Sequence, residues 1–263
     1  MPSDEPSRKN TRTVLIILCL LLVVIIGAAT GAFLLFKKEI SGIKTSQTEQ
    51  HKNAIRTNQF LLSTLDWSTR RQRLILFMRD RIIHERLDAK VPITLDKAYL
   101  YAEHNMIESE KYQHIDPLFL LAIQRRESFF SDSIVSERGA IGLMQIMPST
   151  GRLVCGFFGI SYRIKLLYNP KVNIQLGAKL VDVLYATYDD YELVLADYNG
   201  GPYSAYYFKT KDKRLAKETK EYVPYIMKKW SEYKMQLSTF KIDSIYLAYS
   251  NDYNNIIMDK KGE

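Results

Sequence analysis

Residues 116–130 read Asp116-Pro117-Leu118-Phe119-Leu120-Leu121-Ala122-Ile123-Gln124-Arg125-Arg126-Glu127-Ser128-Phe129-Phe130, and the fold turns on them. Aspartate caps helices, and proline suits the first helical position because its missing N–H would have no partner there. The pair therefore opens a helix over residues 118–129. On it Leu120, Ile123, Gln124 and Glu127 fall at i, i+3, i+4 and i+7, so Glu127 stands on the stripe that the apolar residues turn toward a core. Desolvating an ionised carboxylate is costly, so a glutamate there moves toward its neutral form and keeps a proton near neutral pH. A general acid needs that preparation. A salt bridge to Arg125 or Arg126, or exposure at the helix end, is the plainer account of a glutamate so placed.

Working outward, the same devices recur. Asn169-Pro170 opens a helix running to about Tyr188, and residues 191–198 form a short helix stopped by Gly200-Gly201-Pro202. Residues 218–233 form the last long helix. Upstream, from about Trp67, Leu74, Phe77, Met78 and Ile82 follow helical spacing. Six arginines between Arg70 and Arg86 share that segment. They read as the solvated face of a core-packing helix, with a membrane- or wall-binding surface as the alternative. No sustained alternating pattern and no internal repeat occurs, so the fold class is mostly α. Residues 237–263 are a packed appendage or a frayed tail.

Residues 14–36 contain no charge. At about 1.5 Å per residue a helix of that length covers roughly 34 Å, enough for the hydrocarbon core of a bilayer. A cleaved signal peptide with a small-residue site near Ala29 is the alternative, opposed by the apolar run Phe33-Leu34-Leu35-Phe36 that continues to Lys37-Lys38. Lysines beyond the segment offset Arg8, Lys9 and Arg12 before it, so charge counting does not orient the helix. Residues 41–58, rich in Ser, Thr, Gln, Asn and Lys, read as a stalk, flexible or loosely helical. The organisation expected is a cytoplasmic N-terminus (1–12), a transmembrane anchor (13–36), a stalk (37–66), a helical domain (67–236) and the terminal segment (237–263).

Composition narrows the chemistry. In 263 residues, 37 Lys and Arg face 29 Asp and Glu, a formal charge of +8, which favours an anionic partner without choosing between nucleic acid, lipid and a polyanionic wall. The two cysteines build neither a disulfide framework nor a four-ligand zinc site. His51, His84, His104 and His114 lack metal-ligand spacing, and His84-Glu85 lacks the second histidine of a zincin. No metal or cofactor is expected.

After Glu127-Ser128-Phe129-Phe130 comes Ser136-Glu137-Arg138-Gly139-Ala140-Ile141-Gly142-Leu143-Met144-Gln145-Ile146-Met147-Pro148. Three further blocks follow in order: residues 169–178 (Asn169 to Ala178), residues 196–202 (Ala196-Asp197-Tyr198-Asn199-Gly200-Gly201-Pro202) and residues 218–223 (Glu218 to Val223). Together, over residues 95–233, they resemble the lytic transglycosylases of the soluble type. The resemblance implies a goose-type lysozyme-like helical domain with a deep cleft, and a substrate of peptidoglycan glycan strands cut between N-acetylmuramic acid and N-acetylglucosamine. Glu127 would protonate the glycosidic oxygen and then act as base toward the muramoyl C6 hydroxyl, leaving a 1,6-anhydro end. By the same resemblance Ser136 and Gln145 would bond the substrate, Met147 would supply apolar contact, Tyr198 would bring its hydroxyl near the catalytic carboxyl, and Asn199 and Glu218 would line the cleft. Capping is the plainer role for Asn199, and a first-turn helix charge for Glu218.

Ordinary glycosidases use two carboxylates. Asp132, Asp189, Asp190, Glu192 and Asp197 are the available second ones, each more simply a loop or helix-end charge. The chain departs from the family at Ser131-Asp132, where Asn-Pro is usual, and at Ile134, where alanine is. The whole is then an enzyme of the cytoplasmic (inner) membrane with its domain on the periplasmic side, binding no nucleic acid, with any envelope assembly partner unspecified. A hydrolytic muramidase of the same fold, or an inactive wall-binding module, are the rival readings.

Overall fold

A computed structural model describes residues 8–240 of the chain, and residues 241–263 of the C-terminal segment lie outside them. The chain divides into two units, with the boundary between Trp67 and Ser68. Helix α1 (Arg8–Asp88) contributes to both.

In the first unit α1 is helical throughout, including the polar stretch read as a stalk. Thr45 and Thr48 hydroxyls donate to the carbonyls of Ser41 and Lys44 one turn back, the usual way a helix accommodates hydroxyl side chains. The apolar side chains from Leu15 to Phe36 are all exposed. The helix carries an 18-residue window of mean hydropathy 2.9, long and apolar enough to cross a membrane. Signal sequences share that property.

The second unit is built from the end of α1 and from α2 (Leu95–Ser109), α3 (Pro117–Glu127), α4 (Pro148–Phe157), a 3-10 turn at Ile164–Tyr168, α5 (Pro170–Tyr188), α6 (Tyr191–Gly200), α7 (Pro202–Lys209) and α8 (Lys217–Thr239). It is mostly α, as the periodicity predicts. Phe77, Met78 and Ile82 of α1 are fully buried, each worth about 1.5–3 kcal/mol relative to exposure. Helix α3 lies at the centre, every residue from Leu118 to Gln124 buried, and packs against α2 and α8. Phe119 meets Tyr191 and Trp230 edge-on at 5.0 Å.

The caps fall where the sequence places them. Asp116 accepts from the Leu118 N–H at 2.8 Å, and Asn169 accepts from Lys171 and Val172. Three expectations need correction. Helix α3 ends at Glu127, not Phe129, because Phe129 and Phe130 take positive φ (51° and 59°), a conformation that costs a non-glycine residue energy. Gly200-Gly201-Pro202 both stops α6 and starts α7, with Pro202 at the first helical position. The six arginines of α1 from Arg70 to Arg86 form a face that is only partly solvated, Arg70 exposed and the other five half-buried. Arg71 pairs with Glu110 at 2.8 Å, Arg73 donates to the Leu237 and Phe240 carbonyls, and Arg86 donates to the Phe129 carbonyl. Helix α8 reaches Thr239, and Leu237 and Phe240 pack on the core.

Candidate active site

Glu127 is the last residue of α3, where the helix gives way to two left-handed phenylalanines. The turn is held from several sides. Phe130 is buried, the Arg125 guanidinium lies 3.9 Å over the Phe129 ring, and the Ser128 hydroxyl reaches the Leu143 carbonyl at 2.9 Å. Arg125 is not the partner of Glu127; it pairs with Glu85 of α1, which also accepts from the Tyr233 hydroxyl.

The partner of Glu127 is Tyr222 of α8, whose hydroxyl donates to Oε1 at 2.5 Å. Burial pushes the Glu127 carboxyl up to about 7 against an ordinary 4.5, opposed by the Tyr222 hydrogen bond and Arg126 and assisted by Glu218. The C-terminal end of a helix dipole disfavours a negative charge in the same sense. Burial also holds the Tyr222 and Tyr198 phenols well above their ordinary range, so Tyr222 remains a donor at any working pH. The result is one carboxyl that exchanges its proton near neutrality, with a fixed donor ready for the charged form.

Residues 134–146 fold into a compact run of turns alongside. Ile141 and Ile146 exchange both backbone hydrogen bonds (3.1 and 3.0 Å), and Gly142 N–H reaches the Ile134 carbonyl at 2.9 Å. Asn173 of α5, fully buried, pins this loop: its Oδ1 accepts from Met144 N–H at 2.7 Å and its Nδ2 donates to the Ile141 and Leu167 carbonyls. Gly142 has φ +80°, and a Cβ there would meet the Asn173 amide at 2.6 Å, so glycine is required on both counts.

The other site candidates fall as follows. Ser136 Oγ accepts from the Ala140 N–H at 3.0 Å, closing its own turn. Gln145, at φ 46°, donates its side-chain amide to the Gly142 and Ile134 carbonyls, so its donors shape the loop. Met147 is exposed at the start of α4. Tyr198 lies within electrostatic reach of Glu127 but donates to the Met144 carbonyl at 2.7 Å. Asn199 does not cap α6, whose end is closed by the Gly201 N–H. Its Oδ1 accepts from Thr219 Oγ1 at 2.7 Å, and its amide faces Glu218 at 3.5 Å. Glu218 occupies the first turn of α8 and lies 3.9 Å from Arg138. The residue missed in the sequence is Tyr222. It stands in the last quoted block, and its i+3 spacing from Thr219 was the available signal.

Three of the five alternative carboxylates have partners of their own. Asp132 pairs with Lys97 at 3.0 Å, Asp190 caps α6, and Asp197 accepts from the Tyr188 hydroxyl at 2.5 Å. Asp189 ends α5 in the left-handed conformation, and Glu192 is an exposed first-turn charge of α6.

A profile of the transglycosylase SLT domain matches residues 104–222, the span that holds Glu127, the 134–146 loop, Tyr198 and Tyr222. Membrane-bound lytic murein transglycosylase C of Edwardsiella ictaluri is 35% identical over 139 residues, 48% of this chain and 38% of that protein. The soluble lytic murein transglycosylase of Escherichia coli is 34% identical over 94 residues, 34% of this chain and 14% of that protein. This chain therefore spans well under half the length of these relatives. Among solved structures, an inactive mutant of the lytic transglycosylase Slt from Pseudomonas aeruginosa aligns at 24% identity with a TM-score of 0.49, over 62% of this chain and 31% of that one. Residues 104–222, which hold Glu127 and Tyr222, are thus similar to the transglycosylase SLT domain.

Proposed function

We propose that this protein is a lytic transglycosylase of the bacterial cell wall, cleaving the glycosidic bond between N-acetylmuramic acid and N-acetylglucosamine in peptidoglycan with Glu127 as its single acid and base. The observation that carries the reading is a desolvated carboxyl titrating at about 7 and held by one phenol inside an SLT domain. Such a group gives its proton to the departing glycosidic oxygen. The carboxylate so formed keeps the Tyr222 hydrogen bond and takes a proton from the muramoyl C6 hydroxyl, which attacks C1 and closes a 1,6-anhydro ring. The partners of Asp132, Asp190 and Asp197 and the helix-end places of Asp189 and Glu192 fit a mechanism in which the substrate supplies the nucleophile. Ser136, Gln145, Met147, Asn199 and Glu218 line or shape the groove, and no cofactor enters the scheme.

The apolar part of α1 is read as an uncleaved single-pass anchor in the cytoplasmic membrane, with the SLT domain on the periplasmic side where its substrate lies. Mass spectrometry of purified sacculi digested by the protein tests the reaction. Anhydro-muropeptides are expected, and Glu127→Gln should release them at least a hundredfold more slowly, the low end of what a positioned general acid supplies. Reducing ends without anhydro products would favour the hydrolytic muramidase. Undiminished release by Glu127→Gln would remove Glu127 from the mechanism.

A further inference from the structure

Helix α7 turns its aromatic stripe outward. Tyr203, Tyr206 and Tyr207 fall at i, i+3 and i+4, the spacing that ordinarily faces a core, yet Tyr203 is 75% and Tyr206 57% exposed. The inward side carries buried Ala205 and core-packed Phe208. Clustered exposed rings of this kind leave favourable burial unused and mark binding surfaces.

The three tyrosines, with Pro202 and Arg214, line a pocket of about 580 Å³, within the ordinary range of ligand sites. Its walls are braced. The Arg214 guanidinium lies 4.6 Å over the Tyr207 ring and is fixed by Asp212 at 2.7 Å. Tyr206 meets Tyr207 edge-on at 5.8 Å. The pocket also lies between the helices that carry the neighbours of Glu127. It opens directly after Gly200 of α6 and closes directly before α8, and these flanks are tied by the Thr219 hydroxyl on Asn199. Thr219 and Tyr222 are neighbours one turn apart on α8, about 5–6 Å between Cβ atoms, and Tyr222 holds Glu127.

We propose that Tyr203, Tyr206, Tyr207 and Arg214 form a saccharide-binding site that grips the glycan strand beyond the sugars being cut. The proposal rests on the peptidoglycan reading above. A pyranose ring offers an apolar C–H face that a tyrosine ring covers, and a rim of hydroxyls that phenols, a guanidinium and a carboxylate can hydrogen-bond; the pocket supplies both kinds of surface. Its place between α6 and α8, which carry Tyr198 and Tyr222, assigns it to the same strand. Holding the strand at a second place raises the local concentration of the scissile bond without changing the chemistry at Glu127.

The test is co-sedimentation of full-length Glu127→Gln protein, in detergent, with purified sacculi, intact or stripped of peptide stems by an amidase. Adding Tyr203→Ala and Tyr206→Ala should weaken binding about tenfold or more to both preparations, since two rings that would cover sugar faces are lost. Tyr203→Phe with Tyr206→Phe, which keeps the rings, should lose much less. Circular dichroism checks folding, and if the alanine pair unfolds the single Tyr203→Ala is read in its place. Binding as tight as the parent's overturns the site, as does a loss seen only with stem-bearing sacculi, which would mean that the rings read peptide. Tyrosine-dependent binding by a wild-type chain that releases no anhydro products would sink the catalytic reading alone; anhydro products with tyrosine-independent binding would sink this site alone.

Discussion

At the residue scale the protein is organised around one exchangeable proton. Burial raises the Glu127 carboxyl to about 7, and the Tyr222 hydroxyl holds it from rising further. If Glu127 is the general acid it must start protonated, so kcat/KM on sacculi should be level at mildly acidic pH and fall about tenfold per pH unit above 7. Tyr222→Phe removes a donor that favours the charged form, so the carboxyl should titrate higher and the alkaline limb should move up. A hydrogen bond to a charged group is worth about 1.5–3 kcal/mol, or roughly one to two pH units. A limb that moves down in Tyr222→Phe would contradict this account of the pair. Arg125 and Arg126 flank Glu127 in sequence, yet Arg125 is drawn off to Glu85 and Arg126 lies near the Tyr222 and Tyr225 rings, so the carboxyl keeps its desolvation.

At the element scale α5 governs the loop beside Glu127. Its Asn173 satisfies one N–H and two carbonyls of residues 141, 144 and 167, all in a buried place. On the same helix Gly177 lets the Met144 side chain lie against its backbone, where a Cβ would stand 2.7 Å from Met144 atoms. The Met144 carbonyl in turn receives the Tyr198 hydroxyl. Asn173→Ala would strand these groups at about 1–3 kcal/mol each, partly relieved by relaxation, so chemical denaturation should register a loss of about 2–5 kcal/mol. Activity should fall with it as the loop shifts. A loss under 1 kcal/mol would mean that the loop keeps its shape without α5. Elements also explain where the helix expectations stopped short. Pro148 and Pro202 each open a helix, and Pro202 escapes notice because the two glycines before it read as a terminator.

At the scale of the whole molecule, a helix of membrane-spanning length and a stretch that matches the SLT domain share one chain. If α1 is an uncleaved anchor, carbonate extraction should leave the protein in the membrane pellet, and protease added to spheroplasts should digest the chain after Lys38. Release into the supernatant would point to a cleaved signal sequence, and full protection would reverse the orientation. Taken by itself the amino-acid sequence determined the helical class, the capped starts of α3 and α5, the core face of α1 from Phe77 to Ile82 and the position of Glu127 on a buried stripe, since each depends on residues within a turn or two of one another. Tertiary structure alone decided which phenol holds Glu127, that Gln145 and Ser136 use their polar atoms on their own loop, that Arg71, Arg73 and Arg86 of α1 reach partners in other elements, and that Tyr203 and Tyr206 of α7 face out. The phenol and arginine contacts join residues 39 to 167 positions apart, and the others weigh one local contact or one helix face against another; spacing along a chain carries no record of which groups the packing will bring within hydrogen-bonding reach.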